Sequence, residues 1–165
     1  MTKIQKKWNW EAMAAIFVSL CALSVSILQE RSAQRHARLS VLPFVQTEVR
    51  EMQDSTWELI INNKGVGPAM IKKIEYTFEN KNYDERIDDL AIDIVGQNKL
   101  KNFAFGRYGG TVISANESSM LVRMTGKYNT QKLSENYPKI KVKITFASIY
   151  EEVWVSENNV IKKLN

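Results

Sequence analysis

Imidazole and thiol are nearly absent from this chain. Its 165 residues include one histidine, His36, and one cysteine, Cys21. A His/Cys zinc site needs three or four such ligands, so the count excludes it. No intrachain disulfide can form. A Ser/His/Asp triad meets the same shortage, and no G-x-S-x-G elbow occurs. His36 sits among arginines, and an exposed histidine without a role is the reading preferred over a pH sensor.

Carboxylates are more plentiful, but their spacing is wrong for catalysis. Asp88/Asp89 and Glu151/Glu152 are adjacent pairs. A regular element sends neighbouring side chains in different directions, so neither pair aims both groups at one substrate. Asp84, Glu85, Asp88 and Asp89 resemble a ligand set for a hard cation, but no EF-hand spacing is present. They read better as the acidic first turns of a helix, where negative charge favours the helix dipole. The glycine-rich Gly65-Val-Gly67-Pro68 lacks the GK[ST] ending of a phosphate loop and precedes a strand pattern. It reads as a turn. Asn116-Glu-Ser118 fits a glycosylation sequon, a match common by chance. No catalytic residue, metal or cofactor is expected, and the chain reads as a non-enzyme.

The elements that would carry these residues begin with an anchor. Ala12 to Leu28 contains no charged residue. As a helix it is about 25 Å long, slightly short of a hydrocarbon core of about 30 Å. Trp8 and Trp10 suit an interfacial aromatic belt. A transmembrane helix is the expectation. Three alternatives compete with it. A signal peptide lacks a small-x-small cleavage site at Ile27 to Arg31. A soluble core helix would carry a polar stripe, and an interfacial helix a charged face. Ala15, Ser19, Ala22 and Ser26 recur along one helical face, a candidate helix–helix interface for a homo-oligomer.

Charge follows the same division. Residues 1–38 hold six Lys/Arg against two Glu, and residues 39–165 hold 17 against 16. The excess therefore flanks the apolar run, where Lys6, Lys7, Arg31, Arg35 and Arg38 are candidate lipid-headgroup contacts. The nearly neutral remainder argues against nucleic acid as a partner. Three Lys precede the run and three Arg follow it, so the positive-inside count is tied.

From Ser40 the pattern becomes extended. Val45, Thr47 and Val49 alternate, with Pro43 delaying the strand. Thr56–Ile61, Met70–Glu79, Thr111–Ser114, Ser118–Thr125, Lys139–Phe146 and Glu151–Ser156 read as further strands. Ile74, Tyr76 and Phe78 share one face; so do Ile140, Val142, Ile144 and Phe146. Asp84–Val95 carries a helical stripe ending at Gly96, and Thr130–Asn136 reads as a short helix. The expected fold is mainly β: one N-terminal transmembrane helix and an antiparallel β-sandwich, Ig-like or similar, with one or two inserted helices. The expected division is a basic tail at 1–11, the transmembrane helix at 12–28, a basic juxtamembrane helix at 29–39, and the β domain at 40–165.

Two segments carry a resemblance, Arg38-Leu-Ser-Val-Leu-Pro43 and Asn63-Lys-Gly-Val-Gly-Pro-Ala69. They resemble the "RLSVxP" and "N-x-G-x-G-P-A" motifs of a loose group of bacterial single-pass membrane proteins. The resemblance covers mainly residues 10–75. It implies a bacterial cell (inner) membrane, one span and a β-sandwich; it implies no activity. The expected function is a membrane-anchored binding or interaction module, with the bilayer and a protein as partners. The alternative is an accessory or effector subunit of a stress or phage-defence system acting at the membrane.

Overall fold

The computed structural model describes residues 9–100 and 102–164. The chain divides into two compact units, the first ending at Leu39 and the second starting at Ser40.

The first unit holds α1 (Trp10–Leu39), one unbroken helix of 30 residues with none buried. No proline or glycine interrupts it. The serines of its apolar run bond back onto the helix. Ser19, Ser24 and Ser26 donate to the carbonyls of Ala15, Leu20 and Ala22 at 2.8, 2.8 and 2.9 Å. By length and composition α1 is able to cross a membrane. It continues beyond the apolar run to Leu39, as the sequence suggested.

The second unit begins with β1 (Val45–Met52), β2 (Thr56–Asn63), β3 (Ala69–Phe78) and β4 (Lys81–Asp84). Next come α2 (Ile87–Val95), β5 (Phe103–Phe105), β6 (Val112–Ile113) and β7 (Ser118–Thr125). It ends with α3 (Lys127–Asn136), a 3-10 turn (Tyr137–Lys139), β8 (Lys141–Ala147), β9 (Val153–Glu157) and β10 (Val160–Lys163). Two antiparallel sheets result. One runs β1-β2-β7-β5; the other runs β10-β9-β8-β3-β4, with β6 also on β3. The chain changes sheet five times, between β2 and β3, β4 and β5, β5 and β6, β6 and β7, and β7 and β8; the changes at 64–68 and 114–117 are short turns.

Side chains from both sheets and from the two short helices meet in one hydrophobic core. Trp57, Ile60, Ile74, Tyr76, Ile140, Val142, Ile144 and Phe146 are all buried; alternation places Ile74 with Tyr76 and Ile140 with Val142, Ile144 and Phe146, whereas Trp57 and Ile60 lie on opposite faces of β2. β2 is buried at all eight positions, so its outward face is covered as well. There Glu58 accepts a hydrogen bond from Arg123 across the sheet.

The architecture is mixed helix and sheet, an apolar N-terminal helix with two antiparallel sheets and two short helices, and the described residues form ten strands against the seven or so expected. The short ones escaped because they lack a period-2 pattern: β4 buries only Tyr83, and β5 is exposed throughout. The helix expected from Asp84 starts at Ile87. Tyr83 pairs with Tyr76 in the sheet, and Glu85 has φ +54°, which no α-helix accepts. α3 starts at Lys127, not Thr130, because Gly126 (φ +99°) turns the chain directly into it.

Candidate functional site

The two resembling segments come together in space and form one junction. Asn63, the last residue of β2, is fully buried. Its Oδ1 accepts from the Phe44 and Gly65 amides at 3.0 and 3.1 Å. Its Nδ2 donates to the Gly67 carbonyl at 2.8 Å, and to those of Ile113 and Ser114 at 3.1 Å. One amide side chain thus ties together the chain after α1, the turn into β3 and the end of β6. The backbone adds to it. The Lys64 amide donates to the Phe44 carbonyl at 2.8 Å, and the Val66 and Gly67 amides donate to the Leu42 carbonyl at 3.1 and 3.4 Å.

The glycines permit this contact by being small. A Cβ on Gly67 would strike the backbone of Val41, and one on Gly65 would strike that of Leu42, Pro43 and Phe44. The same bonds dispose of the phosphate-loop alternative. The Gly65, Val66 and Gly67 amides that would cradle an anion already donate within the fold.

The acidic cluster is dispersed. Asp84 lies 3.1 Å from Lys73, and Asp89 2.9 Å from Arg86. Among the described residues, no three His, Cys, Asp or Glu stand where they would hold a metal ion. Other carboxylates are ion-paired too. Asp93 accepts from Lys81 at 2.5 Å and from the Tyr83 hydroxyl at 2.7 Å. These bonds, the Lys81 one foremost, hold its carboxyl below the usual range. Glu75 lies between Lys73 and Lys143, at 3.0 Å from each, and is likewise lowered. Burial pushes the Tyr76 phenol well above its ordinary value. The Asp93 and Glu75 carboxylates thus serve as ion-pair partners linking neighbouring surface elements.

Two open surface depressions lie among the described residues. One of ≈ 520 Å³ lies at the start of α3, lined by Asn98, Lys99, Asn102, Thr125, Gly126, Lys127, Tyr128 and Asn129. Lys99 reaches the Tyr128 hydroxyl at 3.3 Å. This lining holds no carboxylate, imidazole or thiol. Another of ≈ 530 Å³ lies on the outer face of β8, β9 and β10, with Lys143, Val155, Val160, Lys162 and Leu164 on its walls.

Of the candidate residues named from sequence, Ala15, Ser19, Ala22 and Ser26 lie along α1, exposed, as do Arg31, Arg35 and Arg38. Lys6 and Lys7 lie outside the described residues. Sequence reasoning missed Asn63, although its signal was present as the residue leading the glycine motif. It also missed Asn158 and Asn159 at the β9–β10 turn. The Asn159 Oδ1 accepts from the Thr47 amide at 2.7 Å, while its Nδ2 donates to the Thr47 carbonyl at 3.0 Å. The Asn158 Oδ1 accepts from the Val142 amide at 3.2 Å.

No protein-family model matches the chain, and no curated protein matches it.

Proposed function

We propose that the protein is a single-pass, membrane-anchored module that binds a partner and carries out no catalysis, with its β domain held beside the bilayer. One observation carries the reading. α1 is long, uncharged through its centre and exposed along its whole length, including Ile16, Phe17, Val18, Leu20, Leu23 and Leu28. An apolar surface of that size in water is strongly unfavourable, whereas in lipid a helix satisfies every backbone group. The division into tail, span, juxtamembrane helix and domain at 1–11, 12–28, 29–39 and 40–165 belongs to this proposal. So does placement in a bacterial inner membrane, which rests on the motif resemblance. Lys6, Lys7, Arg31, Arg35 and Arg38 are the proposed headgroup contacts. The two sheets are read as an Ig-like sandwich, supported by their shared core.

A tether raises the local concentration of the domain at the membrane without any new contact. Self-association along Ala15, Ser19, Ala22 and Ser26 would raise it further. The back-bonded serine hydroxyls leave that face small and without free donors.

The test is fractionation. Full-length protein is expected in the membrane pellet after carbonate extraction, and a chain lacking residues 1–39 in the soluble fraction. Intact full-length protein in the supernatant would overturn the reading. Ser19→Leu with Ala22→Leu is expected to abolish a detergent-stable oligomer that Leu20→Ala leaves intact.

A further inference from the structure

The sheets of the β domain end in β1 and β5 on one side of the pairing order and in β10 and β4 on the other. Three of these edges are protected against a further strand. β4 carries Lys81 and Asp84, and β10 carries Lys162 and Lys163. In β1 the Thr47 amide and carbonyl are both bonded by Asn159. β5 is Phe103-Ala104-Phe105, uncharged and exposed at every position. Its hydrogen bonds show which way its backbone points. The Thr125 amide donates to the Asn102 carbonyl at 3.1 Å, and the Gly106 amide to the Leu121 carbonyl at 2.9 Å, in register with Ala104 opposite Arg123. Antiparallel pairing alternates, so Ala104 bonds inward, while Phe103 and Phe105 direct their amides and carbonyls away from β7.

We infer that the β5 edge is where the domain binds its partner, by adding an extended peptide segment to the sheet, with alternate apolar side chains on Phe103 and Phe105 and carboxylates at the Asn102 end. This deepens the binding-module reading above and rests on it. The outward amides and carbonyls of β5 are matched by the main chain of an added strand. The two rings stack at 6.0 Å and 16°, and remain 38% and 39% exposed. Alternate side chains of that strand would lie on them. Charge sets the end and the partner. Lys99 and Lys127 line the cleft that Asn102 borders, and no carboxylate lines it. Lys127 also borders a depression with Glu51 and Glu135, but these are bonded to Ser134 and Lys132. At the other end, the Arg107 guanidinium lies 5.9 Å from the Phe105 ring and is offset by Glu85, whose carboxylate borders Gly109. An antiparallel second copy would set the Arg107 end of one chain against the Lys99 end of the other, a repulsive pairing. An acidic segment meets no such opposition.

The test uses full-length protein in detergent, with carbonate resistance checked first so that failure of the anchor reading shows separately. Random dodecapeptides displayed on phage are selected against it, and the recovered peptides are synthesised for affinity measurement. Peptides with alternating apolar residues and Asp or Glu at one end are expected. Phe105→Pro probes the edge, because its amide points outward and proline removes no bond within the sheet. Phe105→Thr keeps the amide and removes only the ring. Binding is expected to weaken about tenfold more in the proline variant than in the threonine variant. Lys99→Glu, at an exposed position, is expected to weaken acidic peptides about tenfold, and it decides the question if the proline variant unfolds. Recovery of no such peptides, or of peptides indifferent to Phe105→Pro and Lys99→Glu, would overturn the inference. So would a dimer lost in Phe105→Pro, which would assign the edge to a second copy. Binding of an oligothymidylate that Phe105→Thr and Phe105→Pro weaken equally would also overturn it, assigning the rings to base stacking.

Discussion

At the junction where the chain enters the β domain, the Asn63 side chain bonds two amides and three carbonyls inside the core. At the β9–β10 turn, Asn159 performs the same substitution for backbone on a smaller scale, bonding the amide and carbonyl of Thr47 from an exposed position. Both asparagines join elements of different sheets, and both use the amide group as a short strand. The difference lies in the alternative partner. Water can replace Asn159, but it cannot reach the groups around Asn63 without opening the core. Equal hydrogen-bond chemistry therefore carries unequal weight in the fold.

The sharpest way to break this comparison is Asn63→Leu. The leucine matches the volume but leaves the Phe44 and Gly65 amides and the Gly67 carbonyl without a partner. The expected loss is about 4 kcal/mol, because each buried unpaired group costs about 1–3 kcal/mol. Denaturant unfolding of the full-length chain in detergent, followed by tryptophan fluorescence, measures it. A loss under about 1 kcal/mol would mean that water reaches the junction, and that burial does not separate the two asparagines.

Asn159→Ala is the matched test at the other end. Its three bonds with Thr47, to the amide, the hydroxyl and the carbonyl, are replaced by water, so the expected loss is about 1 kcal/mol. Amide hydrogen exchange locates it, with Thr47 exchanging faster and Phe44 unchanged. Exchange that accelerated equally at both residues would show the two closures to be one cooperative unit.

The burial pattern was legible in the sequence where one face alternated against the other. β7 matches the expected Ser118–Thr125, and the buried set on β3 and β8 follows from Ile74, Tyr76, Val142 and Ile144. What remained illegible depended on contacts distant in sequence. α3 buries only Asn129 and Leu133 and so has no stripe to read. β10 is held by its register with β9 and by the turn at Asn158 and Asn159, both at positive φ. The junction was half legible. Both of its segments stand out as motifs, and the glycines of Gly65-Val-Gly67 mark the bend that the chain makes there. That the Leu42 carbonyl would receive the amides of that turn is a fact of assembly, and no local pattern encodes it.

Between the two ends, the exposed face of the second sheet offers a charged counterpart to the neutral asparagines. Glu75 accepts hydrogen bonds from Lys73 and Lys143, and Lys73 also reaches Asp84. The Lys73 bond, followed by the Lys143 bond, holds the Glu75 carboxyl below its usual 4.5. Its folded pKa is thus lower than its unfolded one. The stabilisation is complete above the unfolded value and disappears as pH falls through the folded value. Glu75→Gln is expected to lose about 0.5 kcal/mol near neutrality, the scale of a surface ion pair. The difference from wild type should vanish in acid and shrink with added salt. Asn63→Leu, which removes no titratable group, should lose the same amount throughout that range. Unfolding curves of both variants across the acid limb test the contrast. A Glu75→Gln deficit that persisted in acid would assign Glu75 a role in packing, and its charge would then contribute nothing that the neutral amide at Asn63 does not.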